Sequence, residues 1–220
     1  MRKPAVRWSM VLAAAVIGAL TASLIAPAGA THQPANKVVA AGSTMEVMTA
    51  PLVDGAASEE AVLLSGTMRT SSPTDLLIEV NAECALFTDT IIRTPAGAGE
   101  SDSSEAIAKI EVWVEIDGTP VPVTEGDNGR VVFCNRAQFN QVTIGPDDDD
   151  EDDHEFRQYL DTRAANSFSW IWLNVGSGIH EIVVKSSLTA NVTGTGNAKA
   201  IVGKRTMVVD ADMMANDATI

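Results

Sequence analysis

Apolar and polar residues alternate along the stretch from 106 to 118, AIAKIEVWVEIDG. Successive side chains of an extended strand point to opposite faces, so this pattern predicts a β-strand with one buried face and one wet face. The apolar set comprises Ala108, Ile110, Val112, Val114 and Ile116, and the other set comprises Lys109, Glu111, Trp113, Glu115 and Asp117. Trp113 is therefore expected on the polar face, where it is either covered by a loop or exposed as a ligand-binding residue.

Several other segments have the same strand-like character and end at turn residues. They are 60–70, 75–87, 129–144, 166–175, 178–192 and 197–210. Gly176-Ser177-Gly178 and Gly194-Thr195-Gly196 separate the last three and are predicted to form hairpin turns. About seven strands and almost no helical pattern predict an all-β fold, an antiparallel β-sandwich, with Greek-key and jelly-roll connections both left open.

The one stretch with a helical pattern is 152–165, DDHEFRQYLDTRAA. Phe156, Tyr159 and Leu160 would share one face of such a helix. An extended loop or a short strand is the alternative for this stretch.

The most aromatic segment is 166–175, NSFSWIWLNV. In a strand, Phe168, Trp170 and Trp172 lie on one face. This row has two interpretations: a platform on which sugar rings stack, or the inner face of a strand. Because Ile171 and Leu173 make the opposite face apolar as well, a central strand buried on both sides is favoured over the platform.

The first 30 residues have the features of a secretory signal peptide. A basic start (Arg2, Lys3, Arg7) precedes an apolar run, and the small residues 28–30 end the segment. Cleavage is expected after Ala30, and an uncleaved membrane anchor is the alternative. The pattern predicts a secreted protein, of bacterial style, without integral membrane association after cleavage.

Cys84 and Cys134 are the two cysteines of the chain. An exported protein meets an oxidising environment, so the two are predicted to form a disulfide. Two cysteines without accompanying histidines are too few for a structural zinc site.

Acidic residues outnumber basic ones by 29 to 15, and the formal net charge is −14. Such a surface repels nucleic acid, because phosphate binding needs clustered Lys and Arg. Nucleic acid is therefore not expected as a partner.

Seven consecutive acids invite a calcium site. They are Asp147, Asp148, Asp149, Asp150, Glu151, Asp152 and Asp153. An EF-hand loop needs Gly at its sixth position and an acid at its twelfth. A start at Asp150 puts Glu155 sixth, and a start at Asp147 puts Gln158 twelfth. The run is predicted to be a solvated loop that binds calcium weakly if at all, and no other cofactor is expected.

Motifs of catalysis are missing from the sequence. No Gly-x-Ser-x-Gly elbow is present, and the three histidines are His32, His154 and His180. Both His-Glu pairs lack the second zinc histidine four residues on. A secreted hydrolase remains an alternative, as does a copper enzyme in which cleavage after Thr31 places His32 at the amino terminus.

The sequence is therefore interpreted as a secreted, non-catalytic β-sandwich protein that binds an unknown extracellular glycan or protein, or has a structural role. A carbohydrate-binding module that uses Phe168, Trp170, Trp172 or Trp113 is the main alternative. The predicted organisation is a signal peptide (1–30), an N-terminal tether or edge strand (31–58), a β-sandwich domain (59–212) with an acidic loop (145–154), and a C-terminal tail (213–220).

Overall fold

A computed structural model describes residues 37–49, 53–94, 101–143 and 154–212. These residues form nine β-strands, all paired antiparallel, and include no helix that could span a membrane. The strands are β1 (Lys37–Gly42), β2 (Glu46–Thr49), β3 (Val53–Thr70), β4 (Thr74–Thr94), β5 (Ser101–Ile116), β6 (Thr119–Pro120), β7 (Val131–Thr143), β8 (His154–Val175) and β9 (Gly178–Asp212). The predicted all-β, antiparallel fold is confirmed.

Strand β9, 35 residues long, is the spine of the sheet. Its first half pairs with β3 on one edge and β5 on the other, for example Thr70 with Gly178 and Ile116 with Ile182. Its second half pairs with β1 and β2 on one edge and with β4 on the other. Strands β7 and β6 extend the sheet beyond β5, and β8 extends it beyond β4. The sheet is thus continuous and has two halves. One is the first half of β9 with β3, β5, β6 and β7, and the other is the second half of β9 with β1, β2, β4 and β8.

The two halves pack their apolar faces against each other, and the core lies between them. The alternation that predicted β5 is borne out, since Ile110, Val112 and Val114 are at most 1% exposed. β4 contributes Ile78 and Val80, which are fully buried. The disulfide between Cys84 and Cys134 joins β4 to β7 across this core, as predicted, with the Cα atoms 6.6 Å apart.

Neither predicted hairpin turn is a hairpin. Gly176-Ser177 link β8, which pairs with β4, to β9, which begins beside β3, so the connection passes from one half of the sheet to the other. Gly194 and Gly196 lie within β9, where its partner on one edge changes from β5 to β4. A Cβ at Gly196 would clash with the Asp89 carbonyl oxygen, so this glycine permits a close backbone approach.

The helix considered for 152–165 is also wrong, because its described part, 154–165, is the first part of β8. Each residue from His154 to Trp172 pairs with β4. Leu160 is half-buried while Tyr159 is exposed, which is the alternation of a strand rather than the stripe of a helix.

The loop between β6 and β7 is held by one carboxylate. The Asp127 carboxylate accepts backbone hydrogen bonds from Val123, Thr124 and Gly129 at 2.7–2.9 Å. These bonds lower the pKa of Asp127 to about 2. The Gly129 carbonyl in turn accepts the indole N–H of Trp170 at 2.8 Å, so the loop fixes an aromatic of the core.

Candidate functional site

Trp113 is buried, at 3% exposure, and does not present its ring to solvent. The Arg130 guanidinium lies 3.8 Å above the ring centroid, and the indole N–H donates to Glu115 at 3.0 Å. Around the ring, Arg130 forms an ion pair with Glu60, and Lys185 forms an ion pair with Glu115. Of the two alternatives for Trp113, the exposed binding residue is therefore wrong, and cover by a loop fits, since Arg130 belongs to the loop between β6 and β7.

The aromatic row of β8 faces the core. Trp170 is 1% exposed, stacks on Phe133 at 6.3 Å and meets Phe168 edge-on at 4.9 Å. Phe168 and Trp172 are half-buried and pack against the same core. The row therefore belongs to the core, the favoured interpretation, rather than to an exposed platform. The central position is wrong, because among the described strands β8 pairs only with β4.

The acids proposed to bind calcium, Asp147 to Asp150, Asp152 and Asp153, lie outside the described residues. Within the described ranges, no three His, Cys, Asp or Glu side chains are grouped so as to hold a metal ion.

His180 forms an arrangement similar to a catalytic triad. Its Nδ1 lies 2.7 Å from an Asp117 oxygen, and its Nε2 lies 3.2 Å from the Thr70 hydroxyl. However, Nε2 is also 2.8 Å from the Gly176 carbonyl, to which the Thr70 hydroxyl donates as well. Because Nε2 faces a carbonyl and Nδ1 faces a carboxylate, both nitrogens have acceptors beside them, and this arrangement favours the protonated ring. The Thr70 hydroxyl donates to the Gly176 carbonyl and not to His180, so the proton transfer of a triad is not set up in this arrangement.

This cluster makes stability depend on pH. The hydrogen bond to Asp117 raises the pKa of His180, and the same bond lowers the pKa of Asp117. A raised pKa means that the stabilisation is complete below about pH 6.5 and is lost as pH rises through the pKa of the folded state. We expect His180→Gln to lower the free energy of unfolding by roughly 1.5–3 kcal/mol at about pH 6 and by less at about pH 9. Urea unfolding of both proteins across this range measures the difference, and parallel pH profiles would contradict the assignment.

A groove runs along the outward face of β4, between β8 and the second half of β9. It consists of three adjoining depressions of about 450, 620 and 350 Å³. The first two share Glu83 and Ala165, and the last two share Phe87 and Ile201. We call this the outer groove; its main lining residues are Asn81, Glu83, Ala85, Phe87, Asp89, Arg157, Tyr159, Arg163, Ala165, Asn197, Lys199, Ile201, Gly203 and Lys204. From Asn81 to Asp89 it follows about 26 Å of extended strand, long enough for a chain-like ligand.

Strand pairing places an aromatic pair in the outer groove. Asp89 of β4 pairs with Tyr159 of β8 on one edge and with Asn197 of β9 on the other. The rings of Phe87 and Tyr159 lie 6.3 Å apart and are inclined by 34°. Tyr159 is 59% exposed and is the one tyrosine of the chain. Its exposed ring is available to a ligand, in contrast to the buried tryptophans.

Polar groups flank this pair. Asp89 accepts two hydrogen bonds from Arg157 Nε, at 2.9 and 3.2 Å, and a third from Nη2. This fork-like pairing holds both side chains and raises the pKa of Arg157. The carboxamide oxygen of Asn197 is buried and has no hydrogen-bond partner among the described residues, so it is not presented to a ligand in the groove.

Arg205 braces the end of the groove near Lys204. It is 4% exposed, and its guanidinium donates to the carbonyl oxygens of Leu63 and Gly203 at 2.9 and 3.0 Å. It also bonds the Thr44 carbonyl and hydroxyl, between β1 and β2. Because these bonds satisfy the buried charge, Arg205 fixes the groove wall and is not itself a free ligand contact.

Sequence reasoning missed the outer groove. Its side chains come from three strands, and Phe87, Tyr159 and Lys199 are far apart in the chain. The one signal was the set of alternate positions in β4, where the polar residues Asn81, Glu83 and Asp89 are interrupted by Ala85 and Phe87.

No protein-family model matches the sequence, and no curated protein matches it either. Among solved structures, the Eiger TNF from S. frugiperda is 8% identical, with coverage of 86% of this chain and 99% of that chain and a TM-score of 0.22. The CBM36-1 domain of a multidomain xylanase from the hindgut metagenome of Trinervitermes trinervoides is 10% identical, with coverage of 78% and 95% and a TM-score of 0.18. The C-terminal CBM6 of LamC from Zobellia galactanivorans is 10% identical, with coverage of 78% and 98% and a TM-score of 0.18. TM-scores this low carry no argument about fold or function.

Proposed function

We propose that this chain is a secreted, non-catalytic binding module and that it binds a glycan chain in the outer groove. The observation that carries the proposal is the exposed Tyr159 ring beside the half-buried Phe87 ring, in a groove lined by amide, carboxylate and amino groups. A pyranose ring has an apolar face that packs on an aromatic ring and hydroxyls that need hydrogen-bond partners. Aromatic side chains supply the first need, and Lys199 and the exposed Arg163 supply hydrogen-bond donors for the second.

The shape of the groove favours a chain over a compact ligand. Its three depressions continue into one another along β4, and Ile201 and Ala85 form an apolar floor between the aromatic pair and Glu83. Small ligands fit closed, mostly apolar cavities, whereas an open trough about 26 Å long contacts several successive units of a polymer.

Secretion is supported by the disulfide and the leader-like first 30 residues. Structural disulfides persist in oxidising compartments and are rare in the cytosol. The Cys84–Cys134 bond is formed in the structure, and the described residues contain no free cysteine.

Affinity electrophoresis in gels containing soluble polysaccharides tests the binding proposal. We expect Tyr159→Ala and Phe87→Ala each to reduce the retardation and to raise the dissociation constant derived from it by at least about tenfold, as loss of an anchoring aromatic does. Phe139→Ala is the matched control, because Phe139 is 63% exposed on β7, outside the groove. Thermal melting confirms that each variant is folded. If both groove variants bind as the wild type does, the outer groove is not the site.

A further inference from the structure

Basic side chains are concentrated in the outer groove although the chain as a whole is acidic. The chain has 15 Lys and Arg against 29 Asp and Glu. Among the groove-lining residues the balance is reversed, with five basic side chains against the acids Glu83 and Asp89; the basic ones are Arg157, Arg163, Lys199, Lys204 and Arg205. This excess of positive charge is confined to the groove, and it indicates a ligand of negative charge.

Three of the five cations are available to a ligand. Arg157 is held by Asp89, and Arg205 is held by carbonyl oxygens and Glu46. Arg163, by contrast, is 73% exposed and makes a long ion pair of 3.4 Å with Asp161, an exposed contact of little strength. Lys199 and Lys204 have no ion pair with any described residue.

The available cations flank the aromatic pair. Phe87 of β4 pairs with Lys199 of β9, and the preceding outward residue, Ala85, pairs with Arg163 of β8. Lys199 and Arg163 therefore lie on opposite sides of β4, with backbones about 12 Å apart, two strand spacings across and two residues along the strand. A sugar ring stacked on Phe87 and Tyr159 would bring substituents on its edge toward one or the other.

We propose that the glycan bound in the outer groove is anionic and carries carboxylates, and that Lys199 and Arg163 select it. This inference rests on the proposed function. An uncharged glycan would leave these cations without a counter-charge, whereas the carboxylates of a polyuronate accept charge-assisted hydrogen bonds from one or the other, Arg163 offering a bidentate pair and Lys199 a point charge. Glu83 is the one acid of the groove lining without an ion pair among the described residues, and it opposes the ligand's charge.

The decisive comparison uses one polysaccharide in two charge states, polygalacturonate and its highly methyl-esterified form. At about 0.15 M salt the Debye length of about 8 Å screens the distant acids of the chain while groove contacts persist. We expect the wild type to bind polygalacturonate about tenfold or more tightly than the esterified polymer. Alginate and hyaluronate serve as further anionic probes, and laminarin and xylan as neutral ones.

Variants identify the residues responsible. Lys199→Gln and Arg163→Gln should each weaken binding of the anionic polymer about tenfold and leave binding of the esterified polymer unchanged. Glu83→Gln should strengthen binding of the anionic polymer, a gain that damage to the fold cannot produce. Lys109→Gln is the matched control, because Lys109 pairs with Glu111 on the other half of the sheet.

The outcomes separate this inference from the proposed function. Equal binding of the two polymers, or binding of neutral probes alone, overturns the anionic assignment while glycan binding stands. Failure of all five polysaccharides and the esterified polymer to bind overturns both. If the protein prefers the anionic polymers and Lys199→Gln does not reduce that preference, the assignment of Lys199 as a selecting residue is overturned.

Discussion

Replacing Trp170 with alanine is expected to lower the free energy of unfolding by about 3–5 kcal/mol, the largest effect of any single substitution considered. Trp170 is 1% exposed and contacts Phe133 and Phe168 through its ring. Its indole N–H also satisfies the Gly129 carbonyl, so truncation leaves both a cavity and an unpaired buried carbonyl. Denaturant unfolding followed by fluorescence and circular dichroism measures the loss.

Trp172→Ala is the internal comparison for this prediction. Trp172 lies on the same face of β8 but is only half-buried, so its loss should cost clearly less. Trp170→Phe keeps an apolar ring but removes the N–H, so its loss in the free energy of unfolding should lie between those of Trp170→Ala and Trp172→Ala. Equal costs at positions 170 and 172 would contradict the packing described.

Removing the disulfide by replacing both cysteines with alanine is expected to cost about 4 kcal/mol. The bond closes a loop of 50 residues, and the entropy of the unfolded chain rises when that closure is lost. It also joins β4 to β7, two strands that are not paired with each other, so it fastens the two halves of the sheet. Urea unfolding of the double variant, and of the wild type with and without reductant, measures the loss.

Two observations would contradict this expectation. Mass spectrometry under non-reducing conditions should show one bond and no free thiol, and two free thiols would remove the disulfide altogether. An unfolding midpoint that is the same for the double alanine variant and the oxidised wild type would show that the bond does not constrain the unfolded chain.

Short-range patterns explain why much of the fold was predictable. The alternation in β5 repeats every two residues, and this period follows directly from strand geometry. The pairing of Cys84 with Cys134 needed only their number and an exported context. Each of these inferences depends on the local chain or on composition.

Features that depend on distant neighbours were not predictable in the same way. The pair Gly194 and Gly196 has the composition of a turn, yet it lies inside β9 because β4 and β5 approach there. Trp113 has polar neighbours by parity, yet Arg130 covers it. Tertiary contacts decide both cases, and a strand pattern does not encode them.

The outer groove is the strongest example of this limit. Phe87 and Tyr159 become neighbours only because β4 and β8 pair with Asp89 opposite Tyr159. A shift of β8 by one residue in that register would put Tyr159 on the other face of the sheet, away from Phe87. No inspection of either segment alone establishes the register.

The central claim, that a glycan occupies the outer groove, is tested most directly by fluorine NMR of protein labelled with 3-fluorotyrosine. Because Tyr159 is the one tyrosine in the chain, the spectrum of labelled protein reports on the groove alone. We predict that its resonance shifts in a saturable way as polygalacturonate is added, and that the shift is weaker in Lys199→Gln. Retardation of the protein by the polysaccharide without any change in this resonance would place the binding site elsewhere and contradict the claim.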